Sequence, residues 1–269
     1  MAEASIYERP LDYPIPEEPA IHVRTGLVYA NPDGQDLLMD FYTPEQPSGP
    51  ARPVVLFIHG GPILPQKHPP PKTWEVFRSY GRLVTGLGFA GVTFNYRYTG
   101  LPDLEASLSD IRSALDYLHR NCEQFNLDPE RTFLWFFSGS GLLLQPLLTG
   151  VHDQVRGVLL YYPILNLPTN EKEAHDLSPD YVRRFSSETT FDPEFFRHVP
   201  IFIAAPGTED AGYKHAIAHL VHAALDADLT LELVTYPHGH HGFDLVDPGE
   251  YTRYIISRSL AFLEKHRNK

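Results

Sequence analysis

A chain of 269 residues, 42% hydrophobic and 21% charged, can bury one large core and is too short for two full α/β domains. Its net charge of -12, with no basic cluster, argues against nucleic acid or anionic membranes as main partners and favours neutral or cationic small molecules. No apolar run approaches the roughly 18 residues of a membrane span, residues 1–5 are acidic with no apolar core, and Cys122 has no cysteine to pair with; these features predict a soluble, cytoplasmic protein.

Strand-like runs rich in β-branched and aromatic residues fall, in chain order, at 22–29, 37–43, 53–58, 91–96, 132–137, 156–162, 200–205 and 230–236. Asn31-Pro32-Asp33-Gly34 joins the first two as a hairpin. From residue 53 onward strands alternate with helical patterns at 74–87, 104–122, 140–148, 213–225 and 251–266, which predicts a mostly parallel sheet covered on both faces. Leu104, Leu108, Ile111, Leu115 and Leu118 form one stripe that would pack on that sheet. Between 163 and 199 the pattern gives way to polar, proline-bearing sequence such as Asn170-Glu171-Lys172-Glu173 and Asp192-Pro193-Glu194, read as an inserted cap.

The chemistry gathers where the strand at 132–137 runs into Ser138-Gly139-Ser140-Gly141 and then the apolar stretch 142–148. Small residues after the serine let the chain reverse tightly, so its hydroxyl would protrude beside the backbone N–H groups that open the next helix. A glycine-rich linker would read the same way, so other segments must decide. His59-Gly60-Gly61-Pro62 follows the strand at 53–58, and His241-Gly242-Phe243 comes shortly after the strand at 230–236.

With these residues in place, the chain from about residue 22 onward resembles the α/β-hydrolase superfamily. His-Gly-Gly resembles the hormone-sensitive-lipase-like esterases. The small cap and the His-Gly-Phe-Asp ending at Asp244 are similar to dienelactone-hydrolase-like and prolyl-oligopeptidase-like members. The resemblance implies one α/β-hydrolase domain over 1–269, with an N-terminal arm at 1–21, a sheet of about eight mostly parallel strands flanked by helices, and a cap-like insertion at 163–199.

It also implies a nucleophile, an acid and a histidine in chain order: Ser138, then Glu209 or Asp210, then His241. The common Gly-x-x-Asp spacing favours Asp210, with Glu209 the alternative. Backbone N–H groups of Gly139 and of Gly60 or Gly61 would form the oxyanion hole. The expected activity is that of a serine hydrolase, a carboxylesterase for small or medium acyl esters working through an acyl-enzyme, with no cofactor and no metal. Peptidase or lactone hydrolysis would use the same apparatus.

One departure stands out: the glycine expected two residues before the nucleophile is Phe136, whose bulk would crowd the turn. It motivates the alternative of a degenerate hydrolase that keeps a ligand pocket without turnover. Ser140 as nucleophile would place Leu142 at the second crowded position, so Ser138 ranks first. His59 is assigned a structural role through its ring. The clusters His238, His240, His241 and His215, His219, His222 lack a recognised metal-ligand spacing. The proline-rich loop 63–71 is a candidate pocket wall or a plain surface connection, and Tyr96, Tyr98, Tyr161 and Tyr162 read mainly as core.

Overall fold

Apolar residues occupy successive positions in the central strands, so both faces of the sheet must be covered. In the computed structural model, which describes residues 5–15, 21–44, 49–167, 174 and 176–268, they are. The start at residues 1–4 and the run Asn170-Glu171-Lys172-Glu173 lie outside the described residues. On the fifth strand, Phe133, Trp135 and Phe137 enter the core on one face and Leu134 and Phe136 the core on the other. Each such side chain contributes roughly 1.5–3 kcal/mol by leaving water.

The elements follow as β1 (Ile21–Ala30), β2 (Leu37–Pro44), β3 (Arg52–Ile58), α1 (Glu75–Gly86), β4 (Ala90–Phe94), α2 (Leu104–Arg120) and α3 (Cys122–Phe125). Next come β5 (Leu127–Phe137), a 3-10 turn (Ser138–Leu143), α4 (Leu144–Val151) and β6 (Val155–Tyr161). Then follow α5 (Pro179–Arg184), α6 (Ser187–Thr190), β7 (Ile201–Thr208), α7 (Ala211–Asp226), β8 (Leu231–His240), α8 (Phe243–Val246) and α9 (Glu250–His266). Each strand and helix expected from the sequence is present, with ends moved by a few residues. The largest shifts extend β5 back to Leu127 and β8 on to His240, and delay α4 behind the 3-10 turn.

The eight strands form one sheet in the order β1-β2-β4-β3-β5-β6-β7-β8. β1 and β2 pair antiparallel as the hairpin signal predicts, β2 and β4 also pair antiparallel, and the remaining neighbours are parallel. The predicted stripe of α2 is buried on one face with parts of α4 and α7, while α1 and α9 cover the other. Among its described residues the stretch 163–199 holds only short helices, and its Phe185, Phe196 and Val199 join the core. Among the described residues no helix is long and apolar enough to cross a membrane.

Register decides which loops meet. Ile58 pairs with Phe136 and Phe137 with Tyr161, so the segments after β3, β5 and β6 leave the sheet side by side. Thr208 pairs with His240, which makes the next residue of each chain, Glu209 and His241, neighbours.

Candidate active site

Ser138 stands in the left-handed region at φ 55° between the extended end of β5 and the 3-10 turn. For a residue with a Cβ this conformation costs on the order of 1–2 kcal/mol and persists only where the surroundings fix it. Ser140 does much of that fixing. Fully buried, its Oγ accepts from Phe137 N–H (2.8 Å) and lies 2.9 and 2.8 Å from the carbonyl oxygens of Ile58 and Phe137. The Ser140 hydroxyl is thus committed to the strand ends, whereas Ser138 remains partly exposed.

Phe136 does not obstruct the turn. It is wholly buried in the sheet, its ring packing in the core shared with α2 and α4, so its bulk points away from the reversal. The crowded approach lies at Gly60 instead, where a Cβ would stand 2.8 Å from Ser138 Cβ. A Cβ on Gly139 would in turn meet the Gly61 carbonyl oxygen at 2.7 Å. The two glycine turns therefore pack backbone to backbone around the serine, which only residues without side chains permit.

Ser138 Oγ lies 2.6 Å from His241 Nε2, and His241 Nδ1 lies 2.5 Å from Glu209 Oε2. A carboxylate can only accept, so Nδ1 carries the proton and Nε2 offers its lone pair to the serine hydroxyl. The Glu209 side chain is 8% exposed and that of His241 35%, so the acid is shielded while the imidazole reaches solvent.

Of the two candidate acids, this geometry sets Glu209 against His241 rather than the favoured Asp210. Asp210 is exposed and caps α7, its Oδ1 accepting from Gly212 N–H at 2.7 Å, so its side chain is turned along the helix. β7 ends at Thr208 and α7 begins at Ala211, leaving Glu209 as the residue set beside His241 and Asp210 as the N-cap.

His59 is 2% exposed, holds the Gly60 carbonyl through Nδ1 (2.6 Å) and stacks on Tyr96 with centroids 4.1 Å apart. Burial pushes its pKa down to about 4, so it stays neutral and shapes the turn. The remaining histidines disperse: His240 pairs with Asp247 and His222 with Asp226. Among the described residues no three His, Cys, Asp or Glu side chains gather as metal ligands. The loop 63–71 walls a cavity of about 460 Å³ together with residues of β2 and of the segment that follows β4, and neither Ser138 nor His241 lines it.

Sequence reasoning missed a buried group behind the imidazole. Asp244 is 5% exposed and accepts from Tyr162 OH at Oδ1 (2.7 Å) and from Tyr80 OH at Oδ2 (2.8 Å). Burial raises its pKa to about 6 against the pull of both phenols and of the His241 charge. Burial also pushes both tyrosines far above their usual range, so they remain donors. The only sequence signal was the resemblance of the His-Gly-Phe-Asp ending.

Comparison with solved structures agrees with this architecture. A bacterial heroin esterase superposes with a TM-score of 0.74 at 20% identity, covering 93% of this chain and 86% of its own. Esterase B from Lactobacillus rhamnosis gives 0.71 at 18% identity, covering 94% and 90%. The apo form of Thermogutta terrifontis esterase 2 gives 0.71 at 21% identity, covering 93% and 96%. At such identities the likeness is one of fold, and the fold is that of the α/β hydrolases, as the sequence motifs imply. No curated protein matches the chain by sequence. The BD-FAE family profile matches residues 39–173, a span that takes in the His59-Gly60-Gly61 turn and the Ser138 elbow, and the chain belongs to the BD-FAE family.

Proposed function

We propose that this protein is a serine hydrolase, a carboxylesterase for small or medium acyl esters, with Ser138 as nucleophile, His241 as general base and acid, and Glu209 as the acid that orients the imidazole. The observation that carries the reading is the continuous hydrogen-bonded line from Ser138 Oγ through His241 to Glu209 Oε2. The names of the fold relatives, all esterases, favour the same reaction class.

In this reading Ser138 Oγ attacks the ester carbonyl carbon as its proton passes to His241 Nε2, and Glu209 stabilises the imidazolium. The tetrahedral oxyanion accepts from the N–H groups of Gly139 and of Gly60 or Gly61. Collapse breaks the bond to the leaving alcohol, which takes the proton from His241 and departs, leaving an acyl-serine. Water then repeats the sequence, giving its proton to His241 and releasing the acid. The positive φ at Ser138 serves the attack by lifting the hydroxyl out of the strand line.

Incubation with a fluorophosphonate probe and mass spectrometry of the adduct tests the proposal. The expected result is one adduct on Ser138, absent in Ser138→Ala and slow in His241→Ala, with hydrolysis of short 4-nitrophenyl esters. Absence of both labelling and hydrolysis would favour a ligand-binding protein that has kept only the fold.

A further inference from the structure

Asp244 takes no part in the proton path from Ser138 to Glu209, yet its two carboxylate oxygens are each claimed by a buried phenol. The consequence falls on Tyr162. Its ring lies 4.9 Å from the His241 imidazole, and two residues further on Ile164 N–H donates to the Ser138 carbonyl at 3.0 Å. Tyr162 thus touches one member of the catalytic pair through its ring, and Ile164 in the chain that follows it is bonded to the other.

Its own conformation is not one an aromatic residue adopts freely. Tyr162 has φ 38°, in the left-handed region, where a bulky side chain stays only when its surroundings hold it. Its N–H donates to Ala204 O (2.9 Å), which ties the backbone to β7, and its hydroxyl donates to Asp244 (2.7 Å), which ties the ring. Asp244 in turn follows His241 by three residues, across Gly242 at φ 74°, in the first turn of α8. The chain 241–244, the phenol–carboxylate bond and the contact between Tyr162 and the imidazole close a small ring.

We propose that Asp244 is a positioning residue: by holding the Tyr162 phenol it fixes the aromatic wall that sets His241 against Ser138. The inference rests on the serine-hydrolase reading above. Tyr80, reaching from α1 to the other oxygen, anchors the carboxylate without approaching the imidazole through a ring contact of its own. The two phenols therefore have different expected effects, and that difference separates a positioning role from general support of the core.

The test compares Asp244→Asn, Tyr162→Phe and Tyr80→Phe. An amide at 244 turns a donor toward one of the two phenols, and phenylalanine at 162 removes the hydroxyl while keeping the ring. kcat and KM for 4-nitrophenyl acetate are measured with the rate of fluorophosphonate labelling at Ser138. Asp244→Asn and Tyr162→Phe should each lower kcat and labelling by about 10–100-fold, as loss of an orienting partner does elsewhere, with KM within about twofold. The double variant should be no slower than the worse single one, because both remove the same bond. Tyr80→Phe should stay within about threefold of native.

Native kcat in Tyr162→Phe, or an equal loss in Tyr80→Phe, would overturn the assignment. If Asp244→Asn does not fold, the contrast between Tyr162→Phe and Tyr80→Phe decides alone. A native protein that neither labels nor hydrolyses would overturn the serine-hydrolase reading and this inference with it. Native labelling that Tyr162→Phe leaves intact overturns only the inference.

Discussion

Gly60 and Ser138 stand so close that a Cβ on the glycine would lie 2.8 Å from the serine Cβ, 3.0 Å from the Phe137 carbonyl oxygen and 3.3 Å from the serine Oγ. Two of these neighbours are held in place, because Phe137 belongs to the sheet and Ser138 to a constrained turn. Gly60→Ala should therefore push the His59-Gly60-Gly61 turn away from the serine. Displacing one oxyanion donor is expected to slow ester hydrolysis by about 100–1,000-fold. Steady-state kinetics on a 4-nitrophenyl ester, with circular dichroism to confirm the native fold, checks this. Near-native turnover would remove that turn from the site.

Replacing the adjacent acids one at a time separates two roles. Glu209→Gln keeps the shape but faces His241 Nδ1 with an amide that satisfies either tautomer, so orientation of the base is lost. A drop of about 1,000–10,000-fold in kcat is expected, by analogy with other triads. Asp210→Asn retains an effective N-cap for α7 and should leave kcat within about threefold, whereas Asp210→Ala should cost about 1 kcal/mol of stability. Kinetics and urea unfolding of the three variants give the answer. A larger kinetic loss in Asp210→Asn than in Glu209→Gln would reverse the assignment.

The strand-to-turn junctions at His59 and Ser138 were legible because each is a local pattern, an apolar run ending in small residues, and His241 because a His-Gly pair follows a strand-like run. The choice between Glu209 and Asp210 was not, since it depends on where β7 stops and α7 starts. A signal did exist. An aspartate directly before a helix is a standard N-cap, and extending the predicted helix from residue 213 back to Ala211 would have assigned Asp210 to it. Phe136 looked obstructive because a spacing pattern does not reveal which face of the sheet a side chain takes. The His-Gly-Phe-Asp ending marked Asp244 without showing its bonds, because its partners Tyr162 and Tyr80 lie 82 and 164 residues away in sequence.

Phe136→Gly would restore the glycine common at this position, yet it should harm the protein. The ring is fully buried, and its removal leaves a cavity and a glycine within a central strand. A loss of about 3–5 kcal/mol is expected in urea unfolding, with little gain in the activity of molecules that remain folded. A stabilised and faster variant would mean that Phe136 does strain the elbow.

Asp244 and His59 should bend the stability profile in opposite directions. Asp244 ionises less readily in the fold, its pKa rising from 3.8 to about 6 through burial. Its favourable contribution is full below pH 3.8 and lost as pH rises through about 6, because the unfolded chain releases that proton first. His59 is held neutral, its pKa falling from 6.5 to about 4, also through burial. Its contribution is full above pH 6.5 and lost as pH falls through about 4, because the unfolded chain takes up that proton first. Each difference corresponds to at most about 3 kcal/mol. Urea unfolding at several pH values between 4 and 7 should show the native protein losing ground to Asp244→Asn as pH rises. Against His59→Asn it should lose ground as pH falls. Native and variant curves that run parallel would mean that the group concerned titrates alike in the folded and unfolded chains, and its burial would then carry no pH-dependent cost.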